Sequence, residues 1–143
     1  MTIGIGGKTA AEALATLTDM TSGTEPIGLL EYQQRITRAV QLMQHHGLAA
    51  VYLNAGTNLH YFTGTVWYAS ERLVGAVLLA SGELHYIAPV FELGTLSQYW
   101  QVPGQVHGWQ EDESPYALFI SVLRKLGIVS LVVLKFFCLI HFI

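Results

Sequence analysis

The residues that could bind a catalytic metal are few and scattered. Ten Asp and Glu residues and six His residues occur in the 143-residue chain, and the two aspartates are Asp19 and Asp112. Hydrolysis assisted by two metal ions needs several carboxylates close to one another. The acidic residues here are instead spread over predicted loops and helix starts. The sequence therefore predicts no metal site, no cofactor and no catalytic residue in this chain.

A nucleophilic site is equally poorly supported. The single cysteine, Cys138, stands in an apolar run, where burial would keep the thiol protonated and inert. The Gly-x-Ser-x-Gly turn that exposes a catalytic serine does not occur. His60, His85 and His107 are predicted to be separate edge or loop residues rather than ligands of one ion. The sequence alone therefore identifies no pairing of a nucleophile with a base.

Charge and composition limit the classes of partner and compartment. The formal net charge is −3, and the seven Lys and Arg residues are scattered, so no basic patch is predicted for nucleic acid. A single cysteine excludes an internal disulfide framework and favours the cytoplasm. The N-terminus has no continuous apolar segment typical of a secretory signal. We expect a cytoplasmic protein that binds neither nucleic acid nor membrane.

An amphipathic helix is predicted to open the folded part of the chain. Apolar residues recur there at steps of three and four, which places one face on a core: Tyr32, Ile36, Ala39, Val40 and Met43. Gly47 follows, where a positive φ commonly closes a helix. Residues 48–53 form an apolar strand, and residues 54–64 are predicted to be a polar surface loop.

Later segments predict a hairpin and a second docked helix. Residues 72–80 are apolar enough for a strand covered on both faces, and residues 84–88 return as its partner before Pro89. Residues 91–100 could be a helix weakened by Gly94, and residues 106–109 a short strand. Ser114 and Pro115 then predict a helix start, with Gly127 closing that helix.

Several blocks in order resemble the N-terminal domain of Xaa-Pro aminopeptidases and dipeptidases, the creatinase/prolidase group. The most specific is the run Asn58-Leu59-His60-Tyr61-Phe62-Thr63-Gly64, and further blocks surround Glu31-Tyr32, Glu71-Arg72, Pro89-Val90-Phe91-Glu92 and Trp109 to Tyr116. The resemblance covers about residues 27–128. We interpret one set of matching residues as a structural signature of the family: Asn58, Tyr61, Thr63, Gly64, Pro89 and Glu92.

The resemblance implies a three-layer α/β domain, with a mixed sheet of about five strands flanked by helices. In the family this domain precedes a larger "pita-bread" domain, where two Asp, one His and two Glu hold two divalent metals such as Mn, Co or Zn. Metal-bound hydroxide there attacks an Xaa-Pro peptide bond. The N-terminal domain shapes the mouth of the active site and usually supports dimerisation.

The chain departs from the family pattern because it ends at Ile143, before any pita-bread domain. No catalytic or metal-binding residue can be carried over, so a non-catalytic domain of an Xaa-Pro peptidase is predicted. It would form a homodimer or associate with a pita-bread domain. The alternatives are a stand-alone binding or oligomerisation module that pairs with a full-length relative, and a small independent enzyme.

One sharper hypothesis concerns an exposed aromatic segment. Trp67, Tyr68 and Arg72 could form a rim that touches peptide substrate in the active site of a neighbouring subunit, as this region sometimes does in the family.

The chain is thus divided into three parts. Residues 1–26 are an N-terminal arm and linker, residues 27–128 the domain, and residues 129–143 an almost entirely apolar tail. Residues 129–134 can serve as a final strand, whereas residues 136–143 have no obvious partner. The abrupt change in composition leads to the hypothesis that the normal reading was lost near residue 129, through a frameshift or a misplaced stop in the coding sequence. An intact catalytic sequence in another frame downstream would support that hypothesis.

Overall fold

The structure is a computed structural model, and it describes residues 6–128. The arm contains a short helix, α1 (Ala10–Ala15), which begins with a capping box. The Thr9 hydroxyl accepts a hydrogen bond from the Glu12 backbone N–H, and the Glu12 carboxylate accepts one from the Thr9 N–H at 2.8 Å. No residue of α1 is buried, so this helix is stabilised by its local cap and not by packing on the core.

Helix α2 (Leu29–His45) packs on the sheet as its periodicity predicts. Tyr32, Ile36 and Met43 are its buried residues. Gly47 has a φ of 67°, the conformation expected just beyond the end of a helix. The side-chain amide of Gln44 also donates a 2.8 Å hydrogen bond to the Ala80 carbonyl, which ties the end of the helix to the sheet.

Four strands form one mixed sheet in the order β1 (Ala50–Asn54), β2 (Gly75–Leu79), β3 (Leu84–Pro89) and β4 (Gln105–Trp109). β1 and β2 pair antiparallel, β2 and β3 form an antiparallel hairpin, and β3 and β4 pair in parallel. Every residue of β2 and β3 is buried, as the continuous apolar runs predict. The sheet has four strands in residues 6–128, against about five expected. The remaining predicted strand, residues 129–134, lies outside the described residues.

The loop predicted for residues 54–64 is wrong, because residues Thr57–Thr63 form helix α3. Gly56, with a φ of 100°, precedes the helix, and Gly64, with a φ of 72°, ends it. Leu59 and Phe62 lie three residues apart and turn the same face into the core. Seven residues make only about two helical turns, which is too short for a clear helical period. The polar composition therefore predicted a loop where the chain forms a helix.

Two more helical segments follow β3 and β4. The helix predicted over residues 91–100 is reduced to a 3₁₀ turn, Val90–Glu92, and one turn of helix, α4 (Leu93–Leu96). α5 (Pro115–Lys125) begins as predicted, with the Ser114 hydroxyl accepting a hydrogen bond from the Ala117 N–H at 3.3 Å. Gly127 ends it with a φ of 73°.

The helices cover both faces of the sheet and make three layers. On one face α2 and α3 enclose a cluster that includes Ile36, Leu59, Leu78 and Tyr86. On the other face α5 encloses a cluster that includes Val77, Ile87, Trp109 and Leu123. The predicted three-layer α/β class is confirmed. Within the described residues no helix is long and apolar enough to span a bilayer.

Candidate functional site

The signature and rim residues predicted from the sequence lie at one end of the sheet. Because of the strand directions, the carboxyl ends of β1, β3 and β4 lie beside the start of β2. We call this end the carboxyl edge. It carries α3, the segment of residues 64–74, the 3₁₀ turn after β3 and the residues that follow β4. Loops at the carboxyl ends of strands are a common place for ligand sites in α/β domains.

The three predicted rim residues differ in exposure. Tyr68 projects from the surface with 87% of its area exposed. Trp67 is half-buried instead: it packs against two core clusters, and its ring meets that of Tyr99 edge-on at 6.4 Å between centroids. Its backbone carbonyl accepts a 2.8 Å hydrogen bond from the Gly56 N–H. Trp67 therefore anchors the segment, and the exposed part of the rim comprises Tyr68 and Arg72.

Arg72 is held at the surface by contacts from neighbouring loops. Its guanidinium lies 5.2 Å from the centroid of the Phe91 ring, 3.7 Å from a carboxylate oxygen of Glu111 and 3.8 Å from one of Glu71. These carboxylates are mostly exposed, so the ion pairs are weak and can exchange for another anion. The arrangement offers a guanidinium and aromatic surface to a ligand with carbonyl or carboxylate groups.

The signature residues of α3 divide into surface and buried positions. Asn58 is exposed and makes no side-chain hydrogen bond within residues 6–128. Tyr61 is 48% exposed. Its ring lies under the Arg35 guanidinium at 4.3 Å, and Arg35 donates a 2.8 Å hydrogen bond to the Tyr61 carbonyl. Arg35 also forms an ion pair with Glu31 of its own helix. Its contacts with Tyr61 therefore join α2 to α3.

Buried hydroxyl groups lie directly below the end of α3. Thr63 and Thr65 are fully buried. The Thr63 hydroxyl donates to the Leu59 carbonyl at 2.7 Å and lies 2.8 Å from the Thr65 hydroxyl. Tyr86, on β3, donates a 2.7 Å hydrogen bond to the Val102 carbonyl. Burial raises the pKa of Tyr86, while the nearby Thr63 and Thr65 hydroxyls partly lower it. The polar atoms at this position are therefore paired inside the domain.

The remaining signature residues lie at the end of β3. Pro89 is fully buried and pairs with Trp109 of β4. Glu92 is half-buried, and its Oε2 atom has no hydrogen-bond partner among the described residues. The family signature thus spreads over the whole carboxyl edge and does not converge on one catalytic centre.

Arg35 gives the first testable expectation. Replacing it by alanine removes a charged hydrogen bond and the contact with the Tyr61 ring, so Arg35→Ala should lower the free energy of unfolding by about 2 kcal/mol. Urea denaturation measures this. Arg38, exposed on the same helix, is the matched control, and Arg38→Ala should cost less than about 0.5 kcal/mol. Equal losses for the two variants would show that Arg35 does not join the helices energetically.

The structure brings together two histidines that the sequence reading kept apart. His85 is 1% exposed on β3, so its prediction as an edge or loop residue is wrong. Its Nδ1 atom lies 3.1 Å from Nε2 of His107 on β4. Side chains alternate between the two faces of a strand, and this alternation places both His85 and His107 on the α5 face. The pairing of β3 with β4, which brings the two rings together, was not predicted.

The described residues do not fit a two-metal centre. Within residues 6–128 no three His, Cys, Asp or Glu side chains are placed to hold one ion. Asp19 accepts hydrogen bonds from the Thr21 hydroxyl at 2.6 Å and the Thr21 N–H at 2.9 Å, which lower its pKa. Asp112 is exposed beyond β4, on a different part of the chain.

Comparison with known proteins identifies the family. The sequence profile of the Creatinase/Prolidase N-terminal domain matches residues 35–133, which is more than half of the chain. The chain belongs to this family. Creatinase/prolidase N-terminal domains occur in Xaa-Pro peptidases, so the resemblance of the signature run is confirmed at the level of the family. No curated protein sequence gives a match.

One solved structure similar to this creatinase/prolidase N-terminal domain is a dipeptidase PepE from Mycobacterium ulcerans, with 27% sequence identity and a TM-score of 0.62. The match covers 70% of this chain and 28% of the dipeptidase. A prolidase from Thermococcus sibiricus has 26% identity and a TM-score of 0.59, covering 72% and 26%. The N-terminal domain of an Xaa-Pro dipeptidase from Lactobacillus brevis, at 22% identity, shares the fold with a TM-score of 0.57, covering 65% and 69%. The chain therefore spans about a quarter of the length of the first two proteins.

Proposed function

We propose that this chain acts as the non-catalytic N-terminal domain of an Xaa-Pro peptidase. The observation that carries the proposal is the family match over residues 35–133, together with similarity to proteins named dipeptidase and prolidase. The parent reaction is metal-dependent hydrolysis of Xaa-Pro peptide bonds. A separate catalytic domain would hold the two divalent metals, because residues 6–128 do not supply a suitable set of ligands.

In this proposal the domain forms part of the mouth of a catalytic site, and the protein acts in the cytoplasm. Tyr68 offers an exposed ring, and Arg72 offers a guanidinium whose present partners are exposed carboxylates. A peptide bound beside the carboxyl edge could replace those carboxylates with its own carbonyl or carboxylate oxygens. Such contacts would position the substrate without taking part in bond cleavage.

A second candidate is an association module that forms a homodimer or pairs with a full-length relative. It is favoured by aromatic side chains that are more than half exposed around the carboxyl edge: Tyr68, Phe91 and Tyr116. Aromatic residues are enriched in protein interfaces, and they are costly to leave in water. Both candidates use the same edge, but they predict different responses to substrate.

The discriminating experiment combines the full chain with a prolidase from which its own N-terminal domain has been deleted. Alone with Mn²⁺ and an Xaa-Pro dipeptide, the chain should show no turnover. Added to the catalytic domain, it should lower the KM for the dipeptide, and Arg72→Ala should raise that KM about three- to tenfold at unchanged kcat. Turnover by the highly purified chain alone would contradict the proposal.

Arg38→Ala is the control, since Arg38 is exposed on α2 and is not one of the rim residues. It should leave the KM unchanged. If the chain binds the catalytic domain while neither arginine variant affects the KM, the association module is the better description. If the chain neither binds nor alters the kinetics, both candidates fail for this pair of proteins.

A further inference from the structure

The histidine pair on β3 and β4 lies outside the carboxyl-edge site, with His85 buried and His107 half-buried. The His85 and His107 rings are nearly parallel, with 17° between their planes and 5.3 Å between their centroids. Their nitrogen atoms are 3.1 Å apart, within hydrogen-bond distance. The other ring nitrogen of His85, Nε2, is buried and has no partner among the described residues. The pair joins the two strands that run in parallel beneath α5.

The unpaired Nε2 atom favours one arrangement of protons. If His107 donated the shared hydrogen, a neutral His85 would carry an unpaired N–H on Nε2 in the core. If His85 donates from Nδ1, its Nε2 carries only a lone pair. Unpaired buried N–H groups are rarer than under-satisfied acceptors. The favoured arrangement is therefore a neutral His85 donating to a neutral His107.

An additional proton cannot be accommodated in this arrangement. On Nε2 of His85 it would create a buried cation that has no partner among residues 6–128, which is strongly unfavourable. On Nε2 of His107 it would place two N–H groups against each other and break the hydrogen bond. Acid must therefore separate the two rings or leave a buried donor unpaired.

The surroundings of the pair oppose a positive charge. β2 presents Val77 opposite His85, and β4 presents the uncharged Gln105. α5 contributes Lys125, beside the exposed Arg124. Among residues 6–128 neither imidazole forms an ion pair with Asp or Glu. Burial lowers the pKa of His107, and the nearby His85 and Lys125 lower it further.

We propose that His85 and His107 form an acid-sensitive latch, which keeps β4 and α5 attached to β3 only while both imidazoles are neutral. A free histidine in the unfolded chain binds a proton near pH 6.5, whereas burial, and after it the neighbouring His85 and Lys125, lower the pKa of His107 in the fold. Stability is therefore fully present above that pH and is lost as the pH falls. Release should begin at β4 and α5, because the ring contact links β4 to β3, whereas β2 and β3 are also held together by their own antiparallel backbone pairing.

Denaturation of the full chain at two pH values tests the latch. Between about pH 8 and pH 5.5 the unfolding equilibrium constant should rise by up to about tenfold, because the unfolded chain takes up a proton that His107 resists in the fold. The double variant His85→Asn with His107→Gln replaces the ring nitrogens by amide groups that can still hydrogen-bond and cannot titrate. It should lose this part of the pH dependence. His60→Gln, at an exposed position on α3, should retain it.

Two measurements on the unmodified chain decide the question even if the double variant does not fold. In NMR titrations the ring resonances of His107 should not shift until β4 and α5 are released, because burial and the neighbouring His85 lower its pKa in the fold. Amide exchange, corrected for its intrinsic pH dependence, should accelerate at about pH 5.5 in β4 and α5 before the β2–β3 hairpin. Titration of His107 while β4 and α5 stay protected would overturn the proposal.

Discussion

Replacing Gly64 by alanine is expected to lower the free energy of unfolding by about 3 kcal/mol, for two physical reasons. Gly64 ends α3 with a φ of 72°, a conformation that costs a side-chain-bearing residue about 1–2 kcal/mol. An added Cβ would also lie 2.6 Å from Cγ of Gln101 and 2.9 Å from Cε2 of Tyr32. Tyr32 is a buried residue of the α2 face and cannot move without disturbing the core.

Gly47 offers the matched control for this prediction. It follows α2 with a φ of 67°, and no atom lies within 4 Å of the position where its Cβ would stand. Gly47→Ala should therefore cost only the conformational part, about 1 kcal/mol. Urea midpoints at constant m-value measure both variants. If the two substitutions destabilise equally, the close approach of Gly64 to Gln101 and Tyr32 does not constrain the domain.

Local chemistry made several parts of the fold predictable. Ser114 and Pro115 specify the start of α5 through a side-chain cap and a preset φ, and the structure confirms that start. The continuous apolar runs predicted the buried strands of the β2–β3 hairpin, because a strand covered on both faces needs no alternation. In each case residues that are neighbours in the sequence supply the decisive interaction.

Features that depend on distant residues were not predictable in the same way. α3 is polar and short, and it is stabilised by Arg35, which is 26 residues away from the Tyr61 carbonyl. The half-buried position of Trp67 depends on packing against α4 and the residues beyond it. The His85–His107 contact exists only because β3 and β4 pair in parallel. Sequence periodicity contains no information on such pairings. The carboxyl-edge residues were therefore identified by family resemblance, and their contacts became visible only in the folded structure.

Trp109 is expected to give the other large effect, because it closes the opposite face of the sheet at the carboxyl edge. It is 6% exposed and packs in the cluster that contains Ile87 and Leu123. Its Nε1–H donates a 3.1 Å hydrogen bond to the Leu73 carbonyl, next to the rim residue Arg72. Trp109→Ala should lower the free energy of unfolding by about 3–5 kcal/mol, since it removes both the packing and that bond.

Comparison with two further variants separates these contributions. Trp109→Phe keeps an aromatic ring and removes the donor, so it should cost about 1–2 kcal/mol and should accelerate amide exchange near Leu73. Tyr116→Ala, at a position that is 64% exposed, should cost less than about 0.5 kcal/mol. If Trp109→Phe leaves exchange near Leu73 unchanged, the indole does not hold the rim segment in place. The packing of Trp109 would then account for its whole effect, and the position of Arg72 would depend on its contacts with Phe91 and Glu111.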